Sequence, residues 1–486
     1  MNNEIHRKRP EGETFIDEML LQFCDIIEDT AMALVNGFAM LLKWIAPKIF
    51  KGLKGRAKVL KLKTLTCNKK TNDYRALGVD CSTKKVIPFK DIDTSKHSFI
   101  VGASGAGKTN LINLMIRDAL RNKRPVIFLD PKADRDSYQM FKDLCHGYGM
   151  PAYAFSEFET QHFAVNPIKD GSINQVTDRI MRAFNWSEEF YKEECAEALE
   201  DILEILKEQD EEFTFEKILK LLDQRKDKLN IKGLINKLKR INNSDYGKML
   251  NTPGGISVSE LRKNNYCLYI GVSTQGYADT AKALGKIFLG DFLYHSFWYL
   301  SQTTEVRDQY KPVSVIFDEF GSVAMEEFME LLNKCRGSQM ELTMAVQTLA
   351  DLEVVHPTFF KRVIENCNNI FILKQMVDDA VGFLSKSVGT IKTEKFTAVA
   401  EDGIETGRRS VREVEQLILN PNIIKNLKVG QCVYATFSPK KEQVINLRYE
   451  EARWRNQLWR VEKISPMLKY AREKREDDPK FEKEIE

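Results

Sequence analysis

Three observations predict an α/β fold with a mostly parallel sheet. Short apolar runs recur along the chain, most of them bounded by Pro, Gly or charge, and runs of this kind are typical of strands that are covered on both faces. Helical periodicity lies between several runs, as at 108–121 and 278–300, which favours strands that are joined through helices. A glycine-rich loop follows the first run. The predicted strands are 97–103, 125–130, 266–272, 312–320, 341–347, 369–375 and 431–438.

The loop after the first predicted strand reads GASGAGKT (102–109). It matches the phosphate-loop pattern G-x-x-x-x-G-K-[ST], and a strand before it and a helix after it are the context that this motif requires. The N–H groups of such a loop converge on one anion, and the helix adds the positive end of its dipole. Lys108 is expected to contact the β- and γ-phosphates of a nucleotide, and the Thr109 hydroxyl to bind Mg²⁺. The predicted nucleotide-binding residues are Gly102, Ser104, Gly105, Ala106, Gly107, Lys108, Thr109 and Asn110.

The predicted strand 312–320 contains Asp318 and Glu319 at its end, which is the Walker B pattern. In this interpretation Asp318 holds Mg²⁺ through its water shell, and Glu319 orients and deprotonates the attacking water. Taken alone, the pattern is weak, because strands often stop at acidic residues. Its position downstream of a phosphate loop favours the functional interpretation.

Two more candidates lie near the Walker B pattern. Gln347 ends the predicted strand 341–347, where its side chain either senses the γ-phosphate or is an ordinary strand-end amide. Arg336 stands at the end of a predicted helix, just before a turn glycine. It either complements the helix C-terminus or reaches the nucleotide of a neighbouring subunit in a ring-forming ATPase. The predicted catalytic residues are therefore Glu319, Arg336 and Gln347.

One interval interrupts the alternation of strands and helices. Between 173 and 250 there is no proline, and the apolar residues fall at helical spacing, so we predict an all-helical insertion. Its first half is acidic and its second half is basic. The two halves either pair internally as a solvated bundle or present a basic surface to DNA or to an acidic partner. The predicted domains are an N-terminal segment 1–63, a nucleotide-binding domain formed by 64–172 and 251–450, the insertion 173–250, and a charged tail 451–486.

The length, net charge and cysteine content of the chain limit the classes of protein to which it can belong. The 486 residues leave room for two or three domains. A net charge of +3 does not by itself indicate a nucleic-acid binder. Nine cysteines are scattered singly, which predicts reduced thiols and argues against a disulfide framework or a zinc site. The first apolar stretch lies too deep to be a secretory signal.

Several motifs in a fixed order carry a family resemblance. They are HSFIVGASGAGKTN, VIFLDPKADRD, FAVNPI, VIFDEFG, CRGSQMELTMAVQTLADL and GRRSVREVEQLI followed by GQCVY. With these motifs the chain resembles, over roughly 85–450, the TraG/TraD-type conjugative coupling proteins, which are relatives of the FtsK and HerA DNA-pumping ATPases. The resemblance implies a RecA-like P-loop NTPase domain with an inserted all-α domain. It also implies ATP and Mg²⁺ as cofactors, Lys108 and Thr109 as nucleotide ligands, and Asp318 and Glu319 as the Walker B pair.

The resemblance further implies a trans-acting role for Arg336 and a sensor role for Gln347. Its expected partners are single- or double-stranded DNA, relaxase and relaxosome proteins, type IV secretion channel proteins, and identical subunits in a homohexamer. Three functions remain open. They are a conjugative coupling ATPase, an FtsK/HerA-like DNA translocase outside conjugation, and a non-translocating ATP-dependent substrate receptor.

The N-terminal segment 1–63 departs from the family pattern, because no pair of membrane spans is recognisable. An uncharged run, 30–42, is followed by a basic stretch that extends to Lys63. This combination is typical of an interfacial anchor on anionic lipid, although a single tilted span or a partner-docking helix is also compatible with it. The expected location is the bacterial cytoplasm, at the inner face of the cytoplasmic membrane.

Overall fold

The computed structural model describes residues 60–89, 96–157, 164–225, 230–276, 278–401 and 404–450. An 11-stranded sheet forms the centre of this part of the chain, in the order β2-β1-β13-β12-β9-β3-β8-β7-β4-β6-β5. The strands of the described residues are β1 (Ala76–Asp80), β2 (Val86–Pro88), β3 (Ser98–Val101), β4 (Val126–Asp130), β5 (Ala152–Phe155), β6 (Cys267–Gly271), β7 (Val313–Phe317), β8 (Met340–Val346), β9 (Asn369–Ile372), β10 (Thr390–Glu401), β11 (Ile404–Leu417), β12 (Gln431–Phe437) and β13 (Lys440–Leu447). Strands β10 and β11 pair with each other in a separate two-stranded sheet.

The middle of the sheet is parallel. From β9 to β5 in the sheet order, every neighbouring pair of strands runs in the same direction, whereas β12, β13, β1 and β2 are joined by antiparallel pairs. Most positions of the central strands are fully buried, which explains their near-continuous apolar composition. Each of the seven apolar runs contains a strand, and the prediction of an α/β fold with a mostly parallel sheet is confirmed.

Helices occupy most of the connections between the parallel strands. They are α1 (Lys108–Arg121), α2 (Arg135–Gly147), α3 (Ile173–Arg182), α4 (Glu189–Glu208), α5 (Phe215–Leu222), α6 (Lys232–Asn242), α7 (Gly247–Asn251), α8 (Val258–Lys263), α9 (Ala278–Ser301), α10 (Thr304–Arg307), α11 (Phe328–Lys334), α12 (Ala350–Glu353), α13 (Phe359–Asn366), α14 (Asp378–Val388) and α15 (Pro421–Lys425). Within the described ranges, short 3₁₀ helices lie at Leu62–Thr66 and Phe320–Ser322.

The interval between β5 and β6 contains α3 to α8. Its helices begin at recognisable caps, because the Ser172 hydroxyl accepts a bond from the Gln175 N–H in a capping box, and Thr214 caps α5. The apolar residues that the sequence places at helical spacing, such as Leu199 and Leu238, are buried. The described residues 173–225 and 230–251 thus form helices and turns, while the exact borders of the predicted domains stay a prediction.

The chain returns to the phosphate-loop helix at its last described residues. Beyond β13, the Glu450 carboxylate accepts a bond from Arg117 of α1 at 2.8 Å and also contacts Arg448. The Arg117 and Glu450 side chains are almost completely buried. Removing one partner of such a pair leaves an uncompensated buried charge, so this contact fixes residues 448–450 firmly against α1.

The predicted anchor falls mostly, and the predicted tail entirely, outside this description. Residues 1–59 and 451–486 are not among the described ranges, so the expectations for them stay predictions. In the part of the chain that is described, no helix has both the length and the apolar character that a membrane span requires.

Candidate nucleotide-binding and catalytic site

The sheet order brings the predicted site residues to one edge. Strand β8 pairs with β3 on one side and with β7 on the other, and all three strands are parallel. Their carboxyl ends therefore meet at the same edge of the sheet. The phosphate loop follows β3, Asp318 and Glu319 follow β7, and Gln347 follows β8. Ligands of open α/β sheets bind at this edge.

The loop conformation depends on glycine at two positions. Gly107 has a φ of 109°, in the region that side chains with a Cβ rarely adopt. Gly102 lies so close to the end of β9 that a Cβ there would meet the Leu373 Cβ at 2.7 Å. These two constraints shape the turn from β3 into α1.

The loop presents a set of unused donors. Among the described residues, no hydrogen-bond acceptor contacts the N–H groups of Ser104, Gly105, Gly107, Lys108, Thr109 and Asn110. In contrast, the Gly102 N–H donates to Val346 and the Ala106 N–H to Ala103. Free N–H groups at a loop and at a helix N-terminus form an anion site. Gly102 and Ala106 thus shape the loop, while the other six residues offer donors to a phosphate.

Lys108 points back over the loop. Its ammonium donates to the carbonyl oxygens of Gly102 at 2.7 Å and Ala103 at 3.3 Å. Burial lowers the pKa of Lys108, and the charges of Glu319 and Asp318 act in the opposite direction. The ammonium is therefore placed between the loop and the Walker B carboxylates.

The Walker B residues differ in burial and conformation. Asp318 is 4% exposed, and burial raises its pKa to about 6, with the charge of Lys132 opposing that effect. Glu319 adopts the left-handed conformation, with φ 48° and ψ 47°. This conformation is uncommon for a residue other than Gly and is characteristic of functional sites. It turns the Glu319 side chain out of the direction of β7.

Two side chains hold the Glu319 carboxylate. Its Oε1 accepts a bond from the Gln347 amide and lies 2.6 Å from the Lys132 ammonium. Lys132 itself is placed by Asp130, whose carboxylate accepts the Lys132 N–H at 3.0 Å. Burial lowers the pKa of Lys132, but its hydrogen bond to Glu319 and the nearby carboxylates outweigh this and raise it. Lys132 lies in the family motif VIFLDPKADRD, but no role was predicted for it, because its only signal in the sequence is the Asp-Pro-Lys turn after a strand.

Three other residues at this edge were missed. Gln375 donates to the Gln347 carbonyl at 2.7 Å. Asp351 is close enough that the charges of Glu319 and Lys108 affect its pKa, which burial raises. The Gly430 N–H donates to the Ala106 carbonyl at 3.2 Å, so the start of β12 packs on the phosphate loop. Asp351 and Gly430 lie within the family motifs CRGSQMELTMAVQTLADL and GQCVY, but no role was predicted for them or for Gln375.

Two predicted residues are placed differently from the rest. The Asn110 side chain bonds the backbone of residues 448 and 450, with its amide donating to the Arg448 carbonyl and its oxygen accepting the Glu450 N–H, both at 2.9 Å. Arg336 lies before β8, near His97 at the start of β3. It is therefore at the amino edge of the sheet, opposite the phosphate loop of its own chain.

Two protein families match the chain. Residues 90–266 match the central domain of the helicase HerA, which includes the phosphate loop. Residues 312–429 match the TraM recognition site of TraD and TraG, which begins at the Walker B strand. No curated protein matches the chain.

Solved structures share the fold. The bacterial conjugative coupling protein TrwBΔN70 superposes with a TM-score of 0.59 at 13% identity, covering 82% of this chain and 92% of TrwBΔN70. TrwB in complex with ADP and Mg²⁺ gives 0.56 at 13% identity, with 82% and 93% covered. VirB4 of Thermoanaerobacter pseudethanolicus gives 0.53 at 14% identity, with 78% and 96% covered. This chain therefore matches the central domain of the helicase HerA over 90–266 and the TraM recognition site of TraD and TraG over 312–429, and it has the fold of TrwB.

Proposed function

We propose that the chain is an ATP-driven coupling protein of a conjugative type IV secretion system. It recruits relaxase-bound single-stranded DNA and helps to pump it into the transfer channel. One observation carries the ATPase part of this proposal: the free N–H groups of the loop, Lys108, Asp318, Glu319 and Gln347 meet at one edge of the sheet. The match to the TraM recognition site supports the docking of a relaxosome protein, and TrwB was crystallised with ADP, Mg²⁺ and ATP analogues.

The proposed cofactor Mg²⁺ fits the donors that are present. Among the described residues no group of three His, Cys, Asp or Glu side chains forms a metal cage. Mg²⁺ commonly takes one or two protein oxygens together with substrate phosphates and waters, which suits the Thr109 hydroxyl and the Asp318 carboxylate. When bound, it would neutralise charge on the phosphates. Glu319, held by Lys132 and Gln347, is placed to orient the attacking water and take its proton.

The position of Arg336 supports a ring. One chain presents its nucleotide at the carboxyl edge of the sheet and Arg336 at the amino edge, so only a head-to-tail neighbour is able to bring the two together. Such heterologous contacts form a ring when the rotation between neighbours closes. Arg336 lines a cleft of about 670 Å³ together with Lys96, Lys361 and one acid, Glu365. Three cations against one carboxylate leave an excess of positive charge, which suits a triphosphate. We infer a homohexamer in which Arg336 contacts the neighbouring nucleotide.

A second basic cleft supports DNA binding. It lies between α6 and the start of α9, has a volume of about 240 Å³, and is lined by four cations. They are Lys237, Arg240, Lys282 and Lys286. The Lys237 ammonium also lies 5.3 Å from the centre of the Trp186 ring. Cations that follow a groove beside aromatic rings are typical of single-stranded nucleic-acid binding. The cleft also contains one carboxylate, Asp279, which lies 3.7 Å from Arg240. Lys239 forms an ion pair with Asp223 at 2.9 Å and does not line the cleft.

Replacing Arg240 and Lys282 together with Gln is expected to weaken DNA binding. Each lost phosphate contact lowers the salt dependence, by roughly 0.7 in the slope of log K against log salt for single strands. Fluorescence anisotropy with a labelled oligonucleotide at several salt concentrations measures both effects. Lys239→Gln is the matched control for Arg240→Gln alone, because each removes one charge and only Arg240 lines the cleft. Equal affinities and equal slopes for all variants would mean that the cleft does not bind DNA and that the predicted insertion is a solvated bundle.

The ATPase assay separates the candidate functions. A coupling protein or a HerA-like translocase is expected to hydrolyse ATP with Mg²⁺ and to do so faster on DNA, whereas a non-translocating receptor lacks DNA stimulation. The HerA match keeps a translocase outside conjugation as the second candidate. A pull-down of a purified relaxosome protein on the chain distinguishes these two, since only the coupling protein needs that partner.

A further inference from the structure

The sheet order indicates on which side of the loop the nucleobase lies. The Walker B strand β7 and the sensor strand β8 stand on one side of β3, and β9, β12 and β13 stand on the other. The γ-phosphate of a bound nucleotide faces the Walker B side, because Asp318, Glu319 and Gln347 are there. The sugar and base therefore extend toward the side of β9, β12 and β13.

Two exposed side chains lie next to the backbone that contacts the loop on that side. Strand β12 is antiparallel to β9 and β13 is antiparallel to β12, so the start of β12 and the end of β13 reach the carboxyl edge together. The Gly430 N–H donates to Ala106 in the loop, and its carbonyl accepts the Leu447 N–H at 2.8 Å. Beside these contacts, Val429 is 78% exposed and Tyr449 is 66% exposed.

The segment that carries Tyr449 is held rigidly against the first turn of α1. Asn110 follows the Lys108–Thr109 pair of the phosphate loop, and its side chain bonds the backbone on both sides of Tyr449. Arg117, seven residues further along α1, binds the Glu450 carboxylate at 2.8 Å. Arg448 and Glu450 are buried, and the Tyr449 ring between them is left outside.

We propose that Tyr449 stacks on the base of the bound nucleotide and that Val429 packs against the same base or its ribose. This rests on the proposed nucleotide-binding function of the loop. An aromatic ring recognises the π-face that every base has. Tyr449 therefore distinguishes a nucleoside triphosphate from a bare polyphosphate. Asn110 is a positioning residue, because it fixes the backbone on either side of the ring.

The test compares one ligand that has a base with one that lacks it. The affinities of the full chain for the ATP analogue ADPNP and for inorganic tripolyphosphate, both with Mg²⁺, are measured by isothermal titration calorimetry. Tyr449→Ala is expected to raise the Kd for ADPNP about tenfold, as for the loss of one aromatic–base stack, and to leave the Kd for tripolyphosphate unchanged. Tyr449→Phe keeps the ring and is expected to retain wild-type affinity for both ligands.

Controls separate a lost stack from a disturbed fold. Phe190→Ala removes a ring of similar exposure, 70%, on α4, and it is expected to change neither affinity. The base-stacking proposal is overturned if Tyr449→Ala binds ADPNP as tightly as wild type, or if it loses both ligands equally. A wild-type chain that binds neither ligand would instead overturn the proposed function itself.

Discussion

Glu319→Gln is expected to abolish ATP hydrolysis while ATP binding is retained. The amide keeps an oxygen that can accept the bond from Lys132, so the side chain keeps its position near the attacking water. What it loses is the ability to take a proton. Removing a positioned general base costs about 10²–10⁴ in rate, and this is the range expected for kcat in a steady-state phosphate-release assay. Binding of ADPNP should stay within about twofold of wild type.

Lys108→Ala provides the contrast, since it removes the cation that lies over the loop and should weaken binding as well as hydrolysis. A second contrast is Lys132→Ala, which leaves the carboxylate but removes one of its two holding contacts. It is expected to lower kcat less than Glu319→Gln does. Turnover of the Glu319→Gln chain near the wild-type rate would mean that Glu319 is not the general base.

The strands were predictable where burial on both faces leaves an uninterrupted apolar run. Strands β3 and β7 are of this kind. Strand β13 was missed because it is half exposed and begins with charged residues. Strand β5 was missed because only the last two residues of AYAF are buried. The long pair β10 and β11 was missed as well, and it bonds only with itself, outside the 11-stranded sheet.

The site was predictable where one short segment contains the whole motif. The phosphate loop and the Walker B pair are such segments, and the local backbone of each segment sets its geometry. Lys132 acts on Glu319 only because β4 lies beside β7 in the sheet, although β5 and β6 separate these strands in sequence. The same limit applies to Tyr449, whose place beside the loop depends on the antiparallel return of β12 and β13. Contacts that depend on the sheet order are not visible in any local pattern.

Arg336→Ala is expected to abolish hydrolysis. Mixing its subunits with those of a second inactive variant, Lys108→Ala, is expected to restore part of the activity. In a homohexamer the arginine of one subunit would contact the nucleotide of the next, and a transition-state arginine supplied in trans is worth about 10³–10⁵ in rate in GTPase systems. Each variant alone, Arg336→Ala or Lys108→Ala, is therefore inactive. In rings mixed at equal amounts, roughly a quarter of the interfaces pair an intact loop with an intact arginine in a head-to-tail arrangement. Activity should return toward that fraction of wild type.

A cis role for Arg336 predicts the opposite result, namely no recovery in rings that are shown to be mixed by differential tagging. The structure makes a cis role difficult, because Arg336 and the phosphate loop stand at opposite edges of the sheet. The control is Lys334→Ala, two residues before Arg336. Lys334 is 57% exposed, pairs with Glu330 and does not line the cleft of Arg336, so its loss should leave hydrolysis unchanged. Recovery in mixed rings together with normal turnover of Lys334→Ala would assign the effect to the Arg336 guanidinium acting across the subunit boundary.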